Sequence, residues 1–304
     1  MRILSIDGGG IRGIVPALVL AELEARAGQP VASLFDLVAG TSTGAILACA
    51  LCRPDPEPAS ALVGLYVTEG PRIFRRSLGW RVRSVEGLVE EKHESAALRS
   101  ALDARLRDVR LHEATVRLLV PTYDIEARAP LFFKSWREEL ADARLADIAL
   151  AATAAPTYFE PVRVAGHWLV DGGVFANDPA MCAYAEAVRL GDGRAEDLQL
   201  VSLGTGQHTR ALPGEQVRGW GVAQWVRPLL DVVLDGAQDA VDYQLRRLLR
   251  PGAYDRFQVE LDAASDDLDD ASARNLELLQ EQAAALIAAR GDDLDRLAAA
   301  LAAR

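Results

Sequence analysis

The chain has 304 residues, half of them apolar and a quarter charged, enough to bury a full core in one or two domains. A formal net charge of −11 opposes any general attraction to nucleic acid or to anionic bilayers. Cys49, Cys52 and Cys182, odd in number and set in apolar surroundings, speak for reduced, buried thiols rather than a disulfide framework, and no second Cys or His cluster suggests a metal site.

Arg2 to Ile6 alternates around apolar residues and predicts a first strand. It starts almost at Met1, which leaves no room for a signal peptide, and no uncharged apolar run approaches a membrane span, so a soluble cytoplasmic enzyme is expected. The strand closes on Asp7-Gly8-Gly9-Gly10-Ile11-Arg12-Gly13. Glycines let the main chain approach a ligand closely, and the helix predicted from Ile14 to Ala27 turns its unpaired N–H groups and positive dipole end back toward them. That favours a negative charge, an oxyanion among them.

Gly8, Gly10 and Gly13 also satisfy G-x-G-x-x-G, the dinucleotide fingerprint, which wants an acidic residue closing the second strand about 20 residues on. The second predicted strand, 34–39, ends instead in Gly40-Thr41-Ser42-Thr43-Gly44. This is a G-x-S-x-G turn, in which Gly40 and Gly44 remove side chains that would crowd a sharp strand-to-helix bend and Ser42 is lifted out of the fold. The small apolar run 45–51 predicts a helix packed on the sheet behind it.

The short proline-rich stretch 53–58 reads as an exposed loop. Beyond it, 71–83 holds five arginines and no acidic residue. Arg72, Phe74, Arg75, Arg76 and Trp80 in that stretch mix cations with rings as a lipid headgroup interface would, or form a structural segment paired with acid elsewhere.

A serine hydroxyl needs a base. His93 and His112 lie in charged sequence and read as solvated surface, while His167 and His208 lie near turns with no obvious orienting carboxylate. Strands are predicted at 116–122, 131–134 and 168–170, and the last of these turns sharply at Asp171-Gly172-Gly173. A carboxylate there, with its proton affinity raised in a dry cleft, can serve as base without imidazole; an ordinary Asp-Gly turn is the competing reading.

A strand follows at 198–203, Trp220 and Trp225 read as packing near glycines, and 257–261 is strand-like. Asp262, Asp266, Asp267, Asp269 and Asp270 then form an acidic turn, read as solvated loop without the spacing of a calcium site. From 272 to 304 the composition predicts one or two helices interrupted near Gly291.

The glycine loop, the serine turn and the Asp171 turn, in this order, resemble the patatin-like phospholipases, acyl hydrolases with a Ser-Asp dyad. The segments 151–159, 171–179, 202–206 and 239–245 are similar as well, so the likeness runs from about residue 2 to residue 260. It implies an α/β fold with a mainly parallel central sheet sandwiched by helices. A catalytic domain would occupy 1–260, and 261–304 would pack on that same domain. Carried over, Ser42 is the nucleophile, Asp171 its base, and Gly9 and Gly10 the oxyanion donors. Gly8, Arg12, Gly13, Gly40, Gly44, Gly172 and Gly173 support the loops, Arg12 by ordering the glycines, meeting a phosphate or forming a salt bridge. Ala45 departs from the glycine many relatives carry. The implied activity is hydrolysis of phospholipid or lysophospholipid acyl esters, with no cofactor and no metal. An acyltransferase using the same acyl-enzyme and a nucleotide-activated membrane-degrading effector are the alternatives.

Overall fold

A computed structural model describes residues 1–74, 93, 95–191, 197–208 and 212–303, apart from the side chains at 208, 223, 226, 227, 230 and 231. Ten strands are found among these residues: β1 (Arg2–Ile6), β2 (Leu37–Gly40), β3 (Arg117–Asp124), β4 (Ala129–Lys134), β5 (Val162–Val164), β6 (His167–Asp171), β7 (Gln199–Leu203), β8 (Gln207–His208), β9 (Tyr254–Phe257) and β10 (Glu260–Leu261). The main sheet has the order β5-β6-β3-β2-β1-β7-β9, with β4 pairing β3, while β8 and β10 form a separate ribbon. The main helices are α1 (Ile14–Ala27), α2 (Thr43–Cys52), α3 (Ser95–Leu106), α4 (Leu145–Ala152), α5 (Ala180–Leu190), α6 (Val222–Leu248), α7 (Ala273–Ala289) and α8 (Gly291–Ala302).

The central strands β3, β2, β1, β7 and β9 run parallel, and the helices cover both faces. Strand alternation explains the two layers. Leu4, Ile6, Val38, Leu118 and Val120 face one core, filled by α1, α2 and α4. Ile3, Leu37, Ala39, Leu119 and Leu200 face the other, against α5 and the end of α6. The C-terminal helices join the first core: Leu279, Leu297 and Leu301 are buried in the cluster that holds Leu20 and Leu23 of α1, and Arg26 reaches Gly291 O at 2.7 Å.

One sequence expectation is corrected: the segment expected to be strand from residue 34 begins as a 3-10 turn at Val31–Leu34, so β2 starts only at Leu37. Asp171 ends its strand as the sequence suggests, and within the mainly parallel sheet β6 itself runs antiparallel to β3, with Thr122 opposite Asp171. The strand enters from the carboxyl edge and penetrates only three residues, so its last residue still lies level with the serine turn.

Candidate active site

Ser42 occupies the bend between β2 and α2 with φ 54° and ψ −124°, a conformation L residues rarely adopt. The bend is held from both sides: a Cβ at Gly40 would collide with Gly44 O, and one at Gly44 with Ile6 O. All ten residues of α2 are buried, and its N-terminus backs the serine. Beneath it, Thr43 Oγ1 and Tyr66 Oη share a 2.6 Å hydrogen bond against Gly13.

Asp171 ends β6 and is 4 % exposed. Its N–H donates to Ala154 O at 3.0 Å and its Oδ1 accepts the Gly173 N–H at 2.7 Å, and its carboxylate shares the pocket with the Ser42 hydroxyl, which favours its ionised form. Burial pushes its pKa up to about 6, against the opposing pull of the Ser42 hydroxyl and the Gly173 N–H. Gly172 packs on Pro121 O, which leaves no room for a side chain where β6 turns away from β3.

The glycine loop lies across the same pocket. Gly8 N–H donates to Asn177 O at 3.0 Å and Ile11 N–H to Leu268 O at 2.9 Å, whereas the N–H groups of Gly9 and Gly10 have no protein acceptor among the described residues. Thr205 Oγ1 donates to Gly8 O at 2.6 Å, and side chains at Gly9 or Gly10 would collide with Thr205 and with Leu268 O. Arg12 is buried and its Nε–H donates to Gly9 O at 3.4 Å.

Behind the loop, Asp7 and Asp178 flank Arg256 of β9. Arg256 Nη2 donates to Asp7 Oδ2 at 2.6 Å and Nη1 to Ser202 Oγ at 2.7 Å, with Asp178 Oδ2 at 3.5 Å. Burial pushes the Asp7 carboxyl well above the usual range, the guanidinium pulling against it. Burial also works against the Arg256 charge, but Asp7 and Asp178 overcome it and raise its pKa. Removing the cation alone leaves two carboxylates buried together. Arg256→Met is therefore expected to cost about 3–5 kcal/mol in urea denaturation, and a loss below about 1 kcal/mol would mean the trio is not coupled.

Apolar side chains of Ile46, Leu65, Ile73, Phe74, Leu98 and Phe159 complete a pocket that also exposes Ser42, Asp171, Gly9 and Gly10. Its free volume is about 90 Å³. Thr153, Ala155 and Tyr158, from the segment before Asp171, line it too.

Other site expectations change. Phe74 does not face outward: its ring lies 5.5 Å from His93 and 6.3 Å from Phe159, on the pocket wall. Arg72 is exposed and pairs with Glu69 at 3.0 Å, while Arg75, Arg76 and Trp80 lie outside the described residues. His93 is not solvated. It is 4 % exposed, and its Nε2 donates to Asp269 Oδ2 at 2.9 Å, which turns that aspartate of the acidic loop inward as well. Rings from distant segments, not the neighbouring charges, decide its burial. His167 does have a carboxylate, Asp124 Oδ2 at 2.7 Å from Nδ1, supplied by the adjacent strand. It begins β6, so that pair sits roughly 13 Å along the strand from Asp171. His112 is a surface residue bonded to Ala141 O, and the His208 side chain lies outside the described residues. Trp220 and Trp225 pack edge to face at 5.5 Å.

The site residues missed from sequence are Thr205, Asn177, Arg256, Tyr66, His93, Leu268 and Asp269. Thr205 and Asn177 fall in segments whose similarity to the family had been noted, and the others carry no local signal.

Comparison with known proteins gives a consistent result. The family profile described as Patatin-like phospholipase matches residues 4–184. Patatin-like protein 2 of Arabidopsis thaliana is 33 % identical over 92 % of this chain and 81 % of its own length. Probable inactive patatin-3-Kuras 1 of Solanum tuberosum is 30 % identical over 92 % of this chain and 84 % of its own. Among solved structures, VipD from Legionella pneumophila overlays with a TM-score of 0.45 at 12 % identity, over 95 % of this chain and 66 % of that one.

Proposed function

We propose that this chain, which belongs to the patatin-like phospholipase family, hydrolyses the fatty-acyl esters of phospholipids and lysophospholipids through an acyl-enzyme on Ser42. The observation that carries the reading is that Ser42 and a buried Asp171 line one apolar pocket, beside two glycine N–H groups with no protein acceptor among the described residues. A family relative named as inactive makes the state of this pair, rather than membership alone, the argument for catalysis.

In this mechanism the acyl chain enters the apolar pocket and its carbonyl oxygen points at Gly9 and Gly10. Asp171 takes the Ser42 proton as Oγ attacks, and the developing oxyanion gathers the two N–H bonds, each worth about 3 kcal/mol where one has been removed from an enzyme. The proton passes to the leaving alkoxide as the ester C–O bond breaks. Water then gives a proton to Asp171, attacks the acyl-enzyme, and releases the fatty acid with Ser42 reprotonated. A base with a pKa near 6 is ionised at neutral pH while remaining far more basic than an ordinary carboxylate. No helix among the described residues is long and apolar enough to cross a membrane.

The test has two readouts on one preparation. A fluorophosphonate should add once, on the peptide containing Ser42, and vesicles of phosphatidylcholine with lysophosphatidylcholine should release free fatty acid that the adduct abolishes. An adduct on another residue, or none with no fatty acid released, would overturn the reading.

A further inference from the structure

Leu268 belongs to the acidic loop, far in sequence from the dyad, yet it is one of the residues lining the pocket, its Cβ lies against Gly10, and its carbonyl accepts the Ile11 N–H of the glycine loop at 2.9 Å. Gly10 packs directly on that carbonyl. The next residue, Asp269, is buried and accepts from His93 Nε2 at 2.9 Å. His93 is itself fixed: its N–H donates to Tyr158 O at 3.0 Å, and its ring lies 5.5 Å from Phe74 and 5.7 Å from Phe159. Tyr158, Phe74 and Phe159 all line the pocket. The loop is thus tied at residue 268 to the oxyanion side and at residue 269 to the opposite, aromatic wall.

We propose that Leu268 determines which acyl-chain lengths the site accepts, and that Asp269 and His93 are the positioning residues that hold it in place. The cavity holds about 90 Å³, less than the roughly 150 Å³ of a cavity that admits a benzene ring, so a single side chain on its wall changes its capacity appreciably. Removing the isobutyl group of Leu268 extends it at the end bounded by the glycine loop. One methylene in an apolar pocket changes discrimination by about 10-fold or more, so a single side chain suffices to set the preference. Asp269 accepts from His93 Nε2, a contact that asparagine can also make. This rests on the acyl-hydrolase reading and adds to it the residue that measures the substrate.

The experiment compares kcat/KM for p-nitrophenyl decanoate and butyrate below their micellar concentrations. Leu268→Ala should raise the decanoate-to-butyrate ratio at least about 10-fold and Leu268→Phe should lower it. Asp269→Ala should move the ratio in the direction of Leu268→Ala, and Asp269→Asn should restore it to near the wild-type value. If the alanine variant at 268 does not fold, Leu268→Val gives the same reading with a smaller change. Ratios equal to wild type in both Leu268 variants would overturn the assignment, and an Asp269→Ala ratio equal to wild type would overturn the positioning role. Hydrolysis that persists in Ser42→Ala would instead sink the acyl-hydrolase reading, so the two failures are distinct.

Discussion

Ser42→Ala is expected to lower kcat for p-nitrophenyl butyrate by about 10⁶-fold, the scale seen when a serine nucleophile is removed from an enzyme whose groups act as a unit. The remaining catalysis comes from the glycine N–H groups and binding alone, as in hydrolases stripped of their nucleophile. The substitution leaves the backbone strain in place, because alanine tolerates φ 54° no better than serine. Ser42→Gly should be equally inactive but more stable than Ser42→Ala, by about 1 kcal/mol in thermal or urea unfolding. A kcat within 10-fold of wild type in either variant would remove Ser42 from the mechanism. Equal stabilities would show that the turn carries no strain.

Asp171→Asn should reduce kcat/KM by about 10⁴-fold, the effect of a carboxylate-to-amide change in a hydrolase triad, while keeping the Gly173 N–H bonded to the side-chain oxygen. The wild-type profile should rise with pH through about 6 and level off above it, because the ionised carboxylate is the active form. The asparagine variant should lose that limb. Stability moves the other way. A carboxyl whose folded pKa lies above its unfolded one adds stability that is complete below the unfolded value and lost as pH rises through the folded one. A displacement from 3.8 to about 6 corresponds to roughly 3 kcal/mol. Wild type should therefore weaken between pH 4 and pH 7 by that order, and Asp171→Asn should be the more stable protein at pH 8 but not at pH 4. Urea denaturation at the two pH values checks this, and an unchanged difference between the proteins would mean that Asp171 is not held against its own burial.

Much of the site was legible because its geometry is local. Three glycines after a strand and G-x-S-x-G after the next are steric statements: Gly44 stands where Ile6 O leaves no room, and Gly10 where Leu268 O does. Asp171 was readable for a similar reason, a carboxylate on a glycine turn at a strand end. The layered α/β architecture followed from strands alternating with helices. The direction of β6 was not readable, since a three-residue pairing beside β3 leaves no mark on the composition of either strand.

The buried polar partners were beyond reach of the sequence. Asp7 and Arg256 are separated by 249 positions and His93 and Asp269 by 176. His93 among charged neighbours, Asp269 in a run of acids and Phe74 in an arginine-rich stretch all carry the local signature of surface. Local pattern records what a residue needs from its own turn or strand, namely a missing Cβ, a period or a cap. Burial records what the rest of the chain brings to it. The sequence by itself therefore determined the family, the serine turn, the glycine loop and the aspartate at the end of its strand. Only the tertiary structure decided which walls enclose the pocket, which loop lies against the glycines and which cation sits behind them, because each of those contacts joins segments whose approach is fixed by packing of the whole sheet.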